Sequence, residues 1–271
     1  MIKRKIHLTI VAILVTAVML FPLYWTIISS LETNDQIFHQ PPYFFPPTPE
    51  FVAYAHVFVE QLPHLQTSLI VAGGTTLLSL FVAAPAAYAI AHFRWRGVGA
   101  LIVALLISQM IPGVSLANAL FILFNKVGLL NSYLGLILAD CSFCIPFNIL
   151  ILRAFMESIP KDISEAALVD GAGEVRTFAS VILPISKSAL ITAGLFAFLF
   201  GWGDFLFAVT MMTQDAIQPI TVSLYSYISQ YSQSWNEMMA AAVLASIPAA
   251  FLLLVSQRYI TAGMTSGSVK G

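Results

Sequence analysis

Two cysteines, Cys141 and Cys144, have the spacing that most readily suggests chemistry in this sequence of 271 residues. A Cys-x-x-Cys pair is typical of thiol redox sites and supplies half of a tetrahedral zinc site. No second pair and no nearby histidine accompanies it, and both cysteines lie in a long apolar segment, where cysteine usually acts as a small apolar residue. The pattern favours a structural role, with a membrane thiol oxidoreductase as the alternative.

Other catalytic patterns are missing from the sequence. The histidines are dispersed and none has a carboxylate at ligand spacing, so we expect no metal site. A phosphate-binding Gly-x-x-x-x-Gly-Lys-Ser/Thr loop and a Gly-x-Ser-x-Gly nucleophile motif are also absent. We therefore predict a non-catalytic chain with no cofactor of its own. The histidines are His7, His39, His56, His64 and His92.

Two carboxylates, Asp140 and Asp204, stand inside apolar segments and are candidates for a substrate pathway. A charge there costs about 2.5–3.5 kcal/mol on insertion scales, so each is expected to face a cavity or a polar partner. Trp202, Gly203 and Phe205 surround Asp204. Such a cluster suits a sugar, because an aromatic ring stacks on the sugar's apolar face while the carboxylate accepts its hydroxyls. The alternatives are a structural hydrogen bond to a neighbouring helix and a proton relay in a self-sufficient proton-coupled carrier.

The composition places these residues in a membrane. Hydrophobic residues make up 59% of the sequence and charged residues 9%, too few charges to cover a soluble domain. The net charge of -1 argues against a nucleic-acid partner. Six segments are long and apolar enough to span a bilayer as helices, and their length excludes barrel strands. We predict an all-α integral membrane protein, one domain over 1–271, with spans at 7–30, 66–92, 97–124, 133–153, 187–212 and 239–258.

Basic residues orient these spans. All lysines and arginines except Lys126 fall on one side of the predicted membrane, which places both termini in the cytoplasm. The apolar stretch near the start is too long for a secretory signal and has no cleavage site, so we interpret it as an uncleaved first span. The residues on the cytoplasmic side are Lys3, Arg4, Lys5, Arg94, Arg96, Arg153, Lys161, Arg176, Lys187, Arg258 and Lys270.

Prolines mark two further features. The external segment 31–65 carries the proline-rich run 41–47 and no lysine or arginine, which favours extended or turn structure. It is either a compact cover for the bundle or part of a docking face for an external partner. Pro112 and Gly113 interrupt the third span and Pro146 the fourth, and each predicts a kink that could line a pathway.

The polar segment 156–186 is the most informative part of the sequence. Asp162 precedes Glu165 by three residues, a plausible capping pair for a helix that Gly171 would end through a left-handed cap. A second helical stretch over 174–182 would close at Pro184. Helices this short are marginal in water, so they must pack against a partner or against their own bundle.

This segment resembles the signature of permease subunits of bacterial binding-protein-dependent ABC importers. Glu165, Ala166 and Ala167, then Gly171, then Leu183 and Pro184 follow the Glu-Ala-Ala…Gly…Ile-x-Leu-Pro pattern, with Val181 in place of the usual Ile. Residues 88–94, 110–113, 127–135 and 257–271 are similar to the carbohydrate branch and its six-span, maltose-permease-G-like subunits. Many relatives have Trp-Asn-Glu-Phe where this chain has Trp-Gly-Asp-Phe at 202–205, and this difference bears on the identity of the substrate.

The resemblance implies a type I ABC importer permease fold in the bacterial inner membrane. This subunit would pair with a homologous second permease, above a cytoplasmic ABC ATPase dimer that binds ATP and Mg, and receive sugar from an extracytoplasmic solute-binding protein. A non-sugar polar solute is the alternative. The coupling residues would be Glu165, Ala166, Ala167, Asp170, Gly171, Leu183 and Pro184. The substrate pathway would include Trp202, Gly203, Asp204, Phe205, Asp140, Pro112 and Gly113.

Overall fold

The protein is all-helical in a computed structural model that describes residues 2–93, 96–214, 217–230 and 234–266. Arg94 and Lys270, two of the basic residues used to orient the spans, lie outside this part. The helices are α1 (Ile2–Ser30), α2 (Asn34–Ile37), α3 (Val52–His92), α4 (Val98–Ser108), α5 (Gly113–Val127), α6 (Tyr133–Glu157), α7 (Lys161–Val169), α8 (Glu174–Thr177), α9 (Leu183–Ile185), α10 (Lys187–Gly203), α11 (Leu206–Met211), α12 (Ile220–Gln230) and α13 (Trp235–Ser266).

Four of these helices are long and apolar enough to cross a membrane: α1, α3, α6 and α13. Two bent pairs raise the number to six if each pair is one span. One pair, α4 and α5, bends by 95°, and the other joins 174–185 to α10 with a bend of 79°. The all-helical multi-span prediction is confirmed, while the count of six and the side of the termini stay predictions.

The second predicted span is longer than expected. We predicted a start at 66, after Pro63 and several polar residues, but α3 begins at Val52. Proline lacks only one backbone donor, so a long helix can absorb it when neighbouring elements support the chain. Part of the predicted external segment 31–65 is therefore helix rather than loop.

The described residues form two compact units. The first comprises 1–63 and 223–247 and has a small core that includes Val57, Tyr227 and Ala240. A buried polar chain supports it: Ser223 donates to Gln61 (2.7 Å), Gln61 donates to the Tyr227 hydroxyl (3.2 Å), and Tyr227 donates to Glu60 (2.7 Å). Burial, and then the hydrogen bond to Glu60, raises the pKa of Tyr227.

The second unit comprises 64–222 and 248–271 and contains the predicted functional residues. Small residues let its helices approach closely, as is usual in membranes. Gly201 on α10 is one example, at a point where three helices meet. A Cβ built at this position would lie 3.2 Å from the Ala72 Cα on α3 and 3.2 Å from an Asp140 carboxylate oxygen on α6. The absence of a side chain at Gly201 therefore sets the distance between three helices.

Replacing Gly201 with alanine should destabilise this unit, because the backbone of α3 or α10 must shift to admit a methyl group. We expect a loss of about 1–3 kcal/mol, the usual cost of overpacking. Gly203→Ala is the matched control, since a Cβ there meets nothing within 4 Å. Thermal unfolding of the purified chain in detergent measures both, and equal transition temperatures for the two variants would contradict the packing argument.

Candidate functional site

The 156–186 segment begins with a proline-capped helix. Helix α7 starts at Lys161, with Pro160 at the cap position (φ -56°, ψ 132°) and no side-chain capping hydrogen bond. The predicted capping pair is therefore wrong, because Asp162 lies inside the first turn rather than before it. Proline fixes the entry geometry itself. Asp162 keeps a favourable position near the positive end of the helix dipole.

Helix α7 ends in a complete left-handed cap. Gly171 has φ +83°. Its N–H donates to the Leu168 carbonyl (3.0 Å), and the next N–H, that of Ala172, donates to the Ala167 carbonyl (3.0 Å). These two bonds define a Schellman motif, which turns the chain sharply after Asp170. The predicted left-handed cap at Gly171 is confirmed.

The second helical stretch differs from the prediction at Pro184. The chain stays helical from Glu174 to Ile185, with a π-helical turn over Phe178–Ile182, and bends only at Ser186. Within the π turn the Leu183 N–H donates to the Phe178 carbonyl, five residues back. Pro184, near the start of α9, follows this wide turn instead of ending the helix.

Much of the surface of the segment is exposed and apolar. Val169 is 87% exposed and Val175 81%, and Leu168 is also exposed. Of the residues predicted to couple, Ala167 and Leu183 are half-buried, whereas the others are open to the surroundings; these are Glu165, Ala166, Asp170, Gly171 and Pro184. Exposed valines bordered by acidic side chains are typical of a surface that a partner protein covers.

A buried tyrosine fixes this segment to α3. The Tyr88 hydroxyl donates to the Glu174 carboxylate at the start of α8 (3.1 Å). The Tyr88 ring also packs on Phe178, with centroids 5.1 Å apart, and on His92 at 4.4 Å. The sequence analysis missed the Tyr88–Glu174 contact, because a bond across 86 positions leaves no local pattern.

Asp204 lies at the break between α10 and α11, where it supports the backbone. Its carboxylate accepts the N–H groups of Phe207 (3.2 Å) and Ala208 (2.9 Å). Its carbonyl accepts the Thr221 hydroxyl (2.6 Å). The carboxylate therefore caps the short helix α11, a role that the sequence analysis did not foresee.

A cavity of about 540 Å³ opens beside this break. It brings together four of the predicted pathway residues, Gly113, Gly203, Asp204 and Phe205, with Phe143 and Phe200 among the other lining residues. The remaining three predicted residues do not line it. Pro112 caps α5, Trp202 is buried and stacks on Phe198 at 5.7 Å, and Asp140 is fully buried.

Asp140 belongs to a row of polar contacts between α3 and α6. Thr75 donates to one carboxylate oxygen of Asp140 (3.3 Å), and the other oxygen has no hydrogen-bond partner. Two turns along α6, Asn148 donates to Ser79 on α3 (3.1 Å). The Cys141 thiol also reaches the Thr75 carbonyl at 3.7 Å. These contacts favour the helix-to-helix role for Asp140 over contact with a substrate.

Comparison with known proteins identifies the family. The family model described as binding-protein-dependent transport system inner membrane component matches residues 76–266. The chain belongs to this family. The matched residues extend from within α3 to the end of α13 and therefore include both the 156–186 segment and the cavity beside α11.

Individual relatives match nearly the whole length of this chain. The trehalose/maltose transport system permease protein MalG of Thermococcus litoralis is 30% identical, over 100% of this chain and 98% of that protein. The trehalose transport system permease protein SugB of Mycobacterium tuberculosis is 33% identical, over 99% of each chain. A bacterial ABC transporter involved in the import of alginate has the same fold, with a TM-score of 0.81 at 22% identity, over 94% of this chain and 96% of that one.

Replacing Gly171 with alanine should loosen the end of α7, because a residue with a Cβ is strained by about 1–2 kcal/mol at φ +83°. Hydrogen–deuterium exchange of the α7 peptide should accelerate roughly 5- to 30-fold. Gly173→Ala is the matched control, since Gly173 has φ -77° and open space around it. Unchanged exchange in the Gly171 variant would show that the left-handed cap does not hold the helix end.

Replacing Asp204 separates helix capping from other roles. Asp204→Ala removes both acceptors at the start of α11 and should cost about 0.5–2 kcal/mol of stability. Asp204→Asn keeps one acceptor and should recover most of that loss. Thermal unfolding in detergent measures both variants. If the asparagine variant is as unstable as the alanine variant, the carboxylate is needed for its charge rather than as a cap.

Proposed function

We propose that this chain is the permease subunit of an ATP-driven uptake system for a disaccharide or oligosaccharide, and forms half of its translocation pathway. The names of its relatives support the substrate class. Besides the trehalose and maltose proteins, they include the diacetylchitobiose uptake permease of Streptomyces coelicolor, 30% identical over 95% of this chain, and the galactooligosaccharide permease of Bacillus subtilis, 31% identical over 94%. The shared feature is a carbohydrate of two or more units.

The exposed surface of the 156–186 segment is the observation that carries the proposal. Helix α7 presents Glu165 and Asp170 beside the almost fully exposed Val169, and its Schellman cap fixes how the chain turns away. A soluble ATPase would cover the valine and pair a basic side chain with Glu165. The other half of the pathway would come from a homologous second permease, and an extracytoplasmic solute-binding protein would deliver the sugar.

The proposed topology places that surface in the cytoplasm. It comprises six spans, counting each bent pair as one, with both termini on the cytoplasmic side of the inner membrane. The distribution of basic residues supports this orientation, since only Lys126 falls opposite the others. Lys126 lies near the end of α5, beyond the 95° bend that separates this helix from α4.

The contacts of Tyr88 suggest how movement would pass from the ATPase to the spans. ATP and Mg bound by the partner ATPase would supply the free energy for the cycle. Displacement of α7 and α8 would pull on Tyr88 through Glu174 and Phe178, and so on the end of α3. The tight packing of Gly201 against α3 and α6 would make these helices move together. Rocking of one half of the permease against the other would then open the pathway first to one side of the membrane and then to the other.

The cavity beside α11 is the proposed contribution of this chain to the sugar pathway. Its aromatic lining residues Phe143, Phe200 and Phe205 can stack on a sugar ring, and the Asp204 carboxylate, which also lines the cavity, can accept a hydroxyl. Gly203 and Asp204, which stand where many relatives have Asn and Glu, leave more room there. A cavity of about 540 Å³ is within the range of small-molecule sites.

Two substitutions on α7 test the proposal. Glu165→Lys reverses the charge at the expected contact, and Val169→Asp places a charge where an apolar surface should be buried. Each should abolish co-purification of the partner ATPase and stop ATP-dependent uptake into proteoliposomes, while membrane insertion persists. Glu50→Lys makes the same charge change at an exposed residue outside the segment and should leave ATPase binding intact.

Normal ATPase binding and uptake in both α7 variants would overturn the proposed coupling surface. Uptake by the purified chain alone, without ATP and in response to a pH gradient, would favour a proton-coupled carrier instead. The sugar itself is identified most directly by a binding assay on the solute-binding protein encoded beside this chain. Selective binding of a non-sugar solute by that protein would retain the permease role and overturn the substrate class.

A further inference from the structure

A second cavity, of about 350 Å³, lies where several helices end together. It is formed by the last residues of α3, the first residue of α4, the end of α6 and the first residue of α7. It shares no lining residue with the cavity beside α11. Its lining residues include Val98, Arg153, Met156, Glu157 and Lys161.

Basic side chains dominate the charges of this cavity. Arg153 and Lys161 line it, and Glu157 is the one acidic residue among its described lining residues. Glu157 forms an ion pair with the Arg153 Nη2 (3.0 Å). The charges of these two residues therefore offset each other, and Lys161 remains as an additional cation. Lys161 is also the first residue of α7, where the positive end of the helix dipole favours an anion.

One nitrogen atom in the cavity wall lacks a partner. The Arg153 Nε is buried and makes no hydrogen bond with any of the described residues. A buried donor without an acceptor is destabilising, so a polar atom supplied from outside the chain would stabilise this arrangement. The guanidinium group suits a phosphate oxygen, because its planar donors match the geometry of that group.

The remainder of the cavity is apolar and continues onto an exposed apolar helix. Val98 and the fully buried Met156 contribute to its wall. Val98 is the first residue of α4, a helix without a buried residue, on which Val103 and Leu106 are more than half exposed. A ligand with a charged head and an apolar tail would therefore satisfy both parts, whereas a free anion would satisfy only one.

We propose that this cavity binds the phosphate group of an anionic phospholipid such as phosphatidylglycerol. The position supports a lipid over a soluble ligand, since α3, α4 and α6 are apolar helices whose ends meet at the cavity, as they would at a membrane surface. Basic pockets between membrane helices are suited to such head groups. The bound lipid would connect the ends of α3 and α6 to the start of α7. This site does not depend on the proposed transport function.

Native mass spectrometry of the full-length chain, purified in detergent, tests the site with phosphatidylglycerol and phosphatidylcholine of identical acyl chains. We expect phosphatidylglycerol to be retained at least tenfold more strongly. Lys161→Gln should weaken it about fivefold, and adding Arg153→Gln should give roughly 25-fold, since each basic residue contributes independently at a membrane surface. Lys126→Gln removes a lysine outside the cavity and should have no effect.

Folding and ligand source are controlled separately. Lys161→Gln leaves the Arg153–Glu157 ion pair in place, so it carries the test if the double variant fails to fold by thermal unfolding. Equal retention of the two lipids, or identical retention by Lys161→Gln and Lys126→Gln, would overturn the proposal. Displacement of phosphatidylglycerol by millimolar inorganic phosphate would also overturn it, because the cavity would then be a site for soluble anions.

Discussion

Within a bilayer every backbone N–H and C=O group must find its partner inside the protein, and this constraint determines where the chain can depart from helix. The break between α4 and α5 shows how it is met. The N–H groups of Gln109, Met110 and Ile111 each donate to the carbonyl three residues back, and Pro112 has no N–H to satisfy. The Gln109 side chain then donates to the Phe143 carbonyl (3.1 Å), and this bond holds the end of α4 against α6. A bend of 95° is thus made without an unpaired donor among these three residues.

The break between α10 and α11 meets the same constraint with a side chain. Here the Asp204 carboxylate takes the two N–H groups that a new helix would leave unpaired. This explains an acid in an apolar segment without requiring a substrate. Both breaks border the same cavity, since Gly113 begins α5 and Asp204 precedes α11. The cavity lies where these two interrupted helices come together, and Asp204, which caps α11, is one of its lining residues.

The features that were predictable from the sequence depend on composition or on local geometry. Apolar length located the membrane helices, Pro112 and Gly113 located the break, and Gly171 located the left-handed cap. The features that were missed depend on distant contacts or on hydrogen bonds with unusual spacing. Pro184 was expected to end a helix, but a π-helical turn precedes it and the helix continues to Ile185. The start of α3 was placed too late, at 66, because apolar length alone was used to locate it and the helix begins at Val52.

The predicted site residues also divide into those that depend on a local signal and those that depend on contacts with distant residues. The end of α7 was predicted correctly because its capping glycine is a local signal. Asp140, Asp204 and Trp202 are equally unusual in the sequence, yet only Asp204 reaches the cavity, since the partners that decide this lie on other helices. Tyr88 and Glu174 are each unremarkable alone, and their hydrogen bond exists only because α3 ends beside α8.

The two connections of the 156–186 segment differ in a way that suits force transfer under the proposed function. Its contact with α3 is made by side chains: one hydrogen bond from Tyr88, the packing of Phe178, and the fully buried Ile182 in the surrounding core. Its connection to α10 is made by the backbone, which bends by 79° at Ser186. The hydrogen bonds continue through that bend, from the Ser186 N–H to Ile182 and from the Leu190 N–H to the Ser186 carbonyl. A hydrogen-bonded bend transmits displacement instead of absorbing it, so a movement imposed on α7 and α8 would reach both α3 and α10. Since Gly201 holds these two helices in direct contact, neither could follow the segment without the other.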